Sequence, residues 1–129
     1  MDLLAKERAL NAEPQQQITL LEVQRHDLEL DRVRHRRATL PEAVRVTEIQ
    51  TAQRTLADGL PAELMALYDK LRADNGGIGA AALQRGRCEG CRIELTPVDL
   101  ERIRAAAPAE VVRCEECRRI LVRTPESGL

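Results

Sequence analysis

The stretch CEGCRIELTPVDLERIRAAAPAEVVRCEEC, residues 88–117, decides how this chain folds. It opens on Cys88-Glu89-Gly90-Cys91 and closes on Cys114-Glu115-Glu116-Cys117, and these are all the cysteines in the sequence. A two-residue spacing lets both thiolates of a pair reach one ion from a tight turn, and two such turns complete a tetrahedron. Soft thiolates in that geometry select Zn2+. Four cysteines leave no open coordination position, so the ion is structural rather than catalytic. An iron or iron–sulfur site is the competing assignment for the same ligands. A thioredoxin-like redox pair is disfavoured, because no βαβ pattern surrounds either motif. The expected cofactor is one Zn2+ held by Cys88, Cys91, Cys114 and Cys117.

Between the pairs, Thr96-Pro97-Val98-Asp99 reads as a helix start: Thr96 caps, Pro97 takes the first helical position and Asp99 the capping-box position. The helix should run to about Ala106 and stop at Pro108. Around it lie four short segments with β potential, Ile78 to Gln84, Arg92 to Leu95, Val111 to Arg113 and Arg119 to Arg123. The tail Thr124 to Leu129 reads as mobile. Residues 76–129 thus form a small metal-dependent domain. Chelation is expected to melt residues 78–123 and spare what precedes them.

Residues 1–75 have helical character. Residues 1–13 read as a frayed lead-in before Pro14. Leu20, Val23, Leu30, Val33 and Leu40 then recur at steps of 3, 7, 3 and 7, one stripe of an amphipathic helix that Leu21 and Leu28 widen. Leu40-Pro41 breaks it and starts a second helix carrying Val46, Ile49 and Leu56, which ends at Asp58-Gly59. Leu60-Pro61 repeats the signal, and a third helix with Leu64, Leu67 and Leu71 stops at Asp74-Asn75-Gly76-Gly77. The fold class is therefore mostly α: a helical hairpin or coiled-coil region at 1–75, then a zinc ribbon of short strands and one helix at 76–129. The same Leu stripe would serve pairing within the chain or a homodimer.

Composition agrees. Hydrophobic residues make up 43% and charged residues 32%, but there is one Tyr and no Phe or Trp, so a core must be built from aliphatic side chains. Net charge is −1, which supplies no global field toward nucleic acid. No apolar run approaches the roughly 18 residues of a membrane span, and no signal peptide opens the chain, so a cytoplasmic location and no membrane partner are expected. No Ser-His-Asp set or phosphate loop is visible, and Gly76-Gly77-Ile78-Gly79 reads as a linker rather than a phosphate cradle. His26 and His35 read as solvated helix residues.

The segments CEGCRIEL (88–95) and VVRCEECRRILV (111–122), with HRRATLPE (35–42) and the Leu60-Pro61 helix start, resemble the bacterial four-cysteine zinc-ribbon family with an N-terminal coiled-coil hairpin, in its actinobacterial branch. The resemblance covers roughly residues 12–128. It implies a non-enzymatic protein, because relatives are described as nucleic-acid-binding or as adaptors that grip sigma factors, messenger RNA or secretion components. Two departures stand out. Members usually carry a much longer hairpin, and the residue after the last cysteine, often Gly where φ is positive, is here Arg118.

Two basic clusters carry the functional expectation: Arg32, Arg34, Arg36 and Arg37 at the end of the first helix, and Arg113, Arg118, Arg119 and Arg123 around the second cysteine pair. Arginine suits phosphate, which points to RNA or DNA binding with a regulatory role. Glu115 and Glu116 interrupt the second cluster, and no aromatic set is present for base stacking. The alternative is a protein adaptor whose helical half docks a transcription or secretion component. The plain readings are solvated charged faces and Leu stripes that pack on one another.

Overall fold

The computed structural model describes residues 10–34 and 40–129, with the backbone alone at 40–43. Helix α1 spans Pro14–Arg34, α2 Leu40–Asp58, α3 Ala62–Asp74 and α4 Pro97–Ala105. The strands are β1 Ala80–Gln84, β2 Arg87–Cys88, β3 Val112–Arg113 and β4 Ile120–Arg123. This is the mostly helical N-terminal half and small strand-containing C-terminal region expected from the sequence. Among the described residues no helix is long and apolar enough to cross a membrane.

Pro14 sits in the first turn of α1, where its missing N–H costs nothing, and Gln16 Oε1 reaches back to the Glu13 N–H at 2.8 Å. One face of α1 is buried through Gln17, Leu20, Val23, Gln24, Asp27 and Leu30. Helix α2 packs antiparallel against α1: Arg45 pairs with Glu29 at 2.8 Å, while Leu56 and Ala57 lie on the cluster that holds Leu20 and Val23. After Pro61, α3 lays Leu64, Tyr68 and Leu71 on the same cluster. It ends at Asn75, with Gly76 and Gly77 at positive φ and the Gly77 N–H returning to the Arg72 carbonyl at 2.8 Å.

The sheet order is β2-β1-β4-β3, with β1 parallel to β4 and both outer pairings antiparallel. Side chains alternate across it. Ala80, Ile120 and Val122 join Leu20, Leu64 and Tyr68 on the helix-facing side. Ala81, Leu83, Val112 and Leu121 face the other way, onto Ile103 of α4 and the cysteines Cys88 and Cys114. The sheet is thus a partition between two cores, and residues on both sides of position 76 build the larger one. Gly79 lies at this joint: a Cβ there would meet the Tyr68 carbonyl oxygen at 2.6 Å.

Three local expectations change. Arg92 to Leu95 makes no ladder strand: Arg92, at its head, turns at φ 67°, and Glu94 forms a single bridge with Arg87. The tail is pinned: Ser127 is buried, and its hydroxyl donates to the Leu83 carbonyl at 2.6 Å and accepts from the Thr124 N–H at 2.8 Å. The end of the lead-in is held too, since Ala12 N–H bonds the Ala109 carbonyl at 2.7 Å and Val111 N–H the Leu10 carbonyl at 2.8 Å.

Candidate metal centre

The two cysteine pairs sit in turns of one design. In the first, Arg92 N–H bonds the Cys88 carbonyl at 2.8 Å and Cys88 N–H bonds the Ile93 carbonyl at 3.1 Å. In the second, Arg118 N–H bonds the Cys114 carbonyl at 2.9 Å and Cys114 N–H bonds the Arg119 carbonyl at 3.0 Å. Each turn needs a left-handed residue after its second cysteine, and Arg92 and Arg118 supply it at φ 67° and 66°. A side chain there costs roughly 1–2 kcal/mol, and the exposed pair of Arg118 with Glu115 at 3.6 Å returns little. Arg118→Gly is therefore expected to stabilise the zinc-loaded protein by about 0.5–1 kcal/mol, read from its denaturant midpoint. A lower midpoint would mean the side chain contributes more than the strain.

The four Sγ atoms lie within 4.8 Å of one another, with no disulfide between them. Cys88 and Cys117 sulfurs are 3.8 Å apart, as are those of Cys91 and Cys114. A tetrahedron with zinc–sulfur bonds of about 2.3 Å has edges of roughly 3.8 Å, so the donor set fits one structural zinc ion. Bound there, the ion would crosslink the two turns.

The thiols differ. Burial pushes Cys88 up to about 12, against the opposing pull of the Cys91 and Gly90 N–H groups. Burial also raises Cys114, opposed by the N–H groups of Cys117 and Glu116. Burial would raise Cys117 as well, but the Arg119 N–H and guanidinium, with Cys114 and Cys88, bring it down to about 7. Near neutral pH, Cys88 and Cys114 hold protons that zinc must displace. Lowering pH therefore weakens binding. Between pH 8 and 7 the affinity should fall by more than about tenfold as protons compete with zinc for the thiolates. Competition with a chromophoric chelator, corrected for its own protonation, measures this. A fall under tenfold would show the buried thiols already ionised.

The basic residues singled out in the sequence take different places. Arg113 Nε donates to the Arg118 carbonyl at 2.8 Å. Arg119 donates to the Ile78 and Asn75 carbonyls, and Arg123 to those of Ala106, Ala107, Pro108 and Glu110. Only Arg118 of this group points to solvent, beside Glu115. Arg32 and Arg34 are exposed in the last turn of α1. Arg36, Arg37 and His35 lie outside the described residues. His26 bonds the Glu22 carbonyl within its own helix.

The sequence reading missed a buried polar seam on α1. Gln24 Oε1 accepts from the Gly79 and Ala80 N–H groups at 2.7 and 3.2 Å, and its Nε2 donates to the Gly77 carbonyl. Gln17 donates to the Ala12 and Pro108 carbonyls. Asp27 accepts from the Tyr68 hydroxyl at 2.6 Å, with Arg72 3.6 Å away. The signal available was the placement of Gln17, Gln24 and Asp27 on the same helix face as the Leu stripe.

Two cysteine turns closing on one tetrahedral site, carried on a small sheet behind packed helices, define a zinc-ribbon protein with a helical N-terminal region. More particularly, residues 87–121 match the C4-type zinc ribbon domain, and this segment of the chain is such a ribbon. An uncharacterized protein of Mycobacterium tuberculosis, found in two strains, is 41% identical over 95 residues, 74% of this chain and 34% of its own length. The chain thus spans about a third of these relatives. A solved structure from Mycobacterium smegmatis is 40% identical, with a TM-score of 0.60, over 64% of this chain and 34% of that one. The CT398 structure from Chlamydia trachomatis is 25% identical, with a TM-score of 0.50, over 64% of this chain and 34% of that one.

Proposed function

We propose that the chain is a non-catalytic zinc-ribbon module acting as a protein adaptor, with the ribbon as a rigid base and the helical pair as the docking element. The observation that carries this reading is the use of the ribbon's guanidiniums. Arg113, Arg119 and Arg123 donate to backbone carbonyls, which leaves Arg118 as the one exposed guanidinium of the cluster around the second cysteine pair. The four closed thiolates also leave no position for a substrate on the metal. Among the described side chains of α2, Ile49 is buried and Leu56 and Ala57 pack on the core, while Val44 is 58% exposed.

A photo-crosslinking residue at Val44 tests the adaptor. A discrete protein adduct formed in cells from Val44, and not from the exposed Glu101 of α4, is expected; no adduct from Val44 overturns the reading. A second reading, nucleic acid at the far end of the helical pair, is favoured by Arg32 and Arg34, which have no ion pair with any described residue. Anisotropy titration with single-stranded RNA and duplex DNA at two salt concentrations decides it. Micromolar binding that weakens steeply with salt, and is lost in the Arg32→Glu/Arg34→Glu variant, would replace the adaptor with nucleic-acid binding.

A further inference from the structure

One side chain touches both cysteine turns and the end of helix α3. The backbone of Arg119 belongs to the second turn, where its carbonyl accepts from the Cys114 N–H at 3.0 Å. Its side chain then crosses the first turn. Gly90, between Cys88 and Cys91, lies so close that a Cβ there would sit 2.6 Å from Arg119 Cδ. Past Gly90 the guanidinium reaches the helical half: Nε donates to the Ile78 carbonyl at 2.7 Å and Nη2 to the Asn75 carbonyl at 3.0 Å. Asn75 caps the C-terminus of α3. Ile78 leads into β1, whose entry is also tied to α1 through Gln24.

We propose that Arg119 is a positioning residue that couples zinc occupancy to the joint between α3 and the ribbon. The Arg119 stem lies against Gly90 and reaches Asn75 and Ile78, so zinc, by crosslinking the two turns, would hold it in that place. When zinc leaves, the two turns lose their shared crosslink, the stem is freed, and these carbonyls lose the guanidinium. The helical half thereby senses the state of the metal site without any of its own residues touching the metal. A guanidinium suits the role because its fork donates to two carbonyls at once, which an ammonium on a shorter stem does not reproduce.

Hydrogen exchange on the full chain tests this, comparing the zinc-loaded and chelated protein. The joint is read at the Gly77, Ile78 and Gly79 amides, whose acceptors are the Arg72 carbonyl, the Asn75 carbonyl and Gln24 Oε1. The turns are read separately at the Arg92 and Arg118 amides. Chelation should speed exchange at the joint by at least about tenfold. In Arg119→Met at saturating zinc, the joint should already exchange fast while Arg92 and Arg118 stay protected. Zinc affinity should weaken by roughly 10–100-fold, as for other residues that orient metal ligands. Arg119→Lys should restore only part of the protection. If Arg119→Met fails to fold, Gly90→Ala serves instead, since its Cβ displaces the stem and keeps the charge; the same selective loss at the joint is expected. Wild-type protection at 77–79 in the zinc-loaded variant, or no change there on chelating the wild type, overturns the coupling.

Discussion

Cys114→Ser should abolish tight zinc binding and unfold the ribbon. Zinc in comparable small sites contributes about 10–16 kcal/mol to folding, as much as the whole stability of an ordinary small domain. Cys114 is also buried against Ile103, Val112 and Leu121, so a hydroxyl there would be desolvated beside three unpaired thiols. The sequence-based expectation was a clean division, with the helices untouched by metal loss. The sheet alters it. Ala80, Ile120 and Val122 form part of the core under α1 and α3, so melting the ribbon exposes the underside of both helices. Exchange should accelerate first over residues 86–119, then at Ala80 and Ile120–Val122, with a partial loss of helical circular dichroism. A variant that kept wild-type protection across residues 112–123 would show that the apolar clusters, not the ion, organise this half.

Tyr68→Ala should be the most damaging single substitution away from the metal. Tyr68 is the one aromatic residue in the chain and is fully buried. Truncating a buried aromatic ring costs about 3–5 kcal/mol, and here the lost hydroxyl also leaves the Asp27 carboxylate without its 2.6 Å donor. Tyr68→Phe separates the two parts. It keeps the packing and loses the hydrogen bond, at about 1–3 kcal/mol, softened by Arg72 at 3.6 Å from Asp27. Both are measured as denaturant midpoints of the zinc-loaded protein. The pair also sets a pH dependence. Burial first, and the Asp27 hydrogen bond and charge second, hold the phenol protonated well above its ordinary 10.0. A raised value in the folded state favours folding below the unfolded value and is lost as pH rises past it. Stability should therefore fall above about pH 10, and Tyr68→Phe should flatten that limb. An equally steep alkaline loss in Tyr68→Phe would assign it to other groups.

The metal site was legible residue by residue. Cysteine spacing is a local property, and a tetrahedral ion demands the same turn wherever it occurs, so CEGC and CEEC announced both turns. The left-handed position after the last cysteine was anticipated for Arg118, and the same geometry recurs at Arg92. The helices were legible for a similar reason, since Pro14, Pro41 and Pro61 mark starts and Asp74-Asn75-Gly76-Gly77 a stop through backbone sterics alone. The roles of the arginines were not legible. Arg119 and Arg123 look like any exposed basic residues in the sequence. Their partners are carbonyls of Asn75 and Ile78 in one case and of Ala106, Ala107, Pro108 and Glu110 in the other, brought near only by folding. Ser127 was misjudged on the same ground, since its acceptor, the Leu83 carbonyl, is 44 residues away in the chain.

From its sequence alone this protein is a helical segment followed by a four-thiolate zinc ribbon, because periodicity, proline sterics and ligand spacing act over a few residues. The shared core across the sheet, the polar seam of Gln17, Gln24 and Asp27, and the inward turn of Arg113, Arg119 and Arg123 came only with the folded chain. Each depends on a hydrogen-bond partner or an apolar neighbour that distant chain segments supply, and no local pattern encodes which carbonyl a long side chain will find.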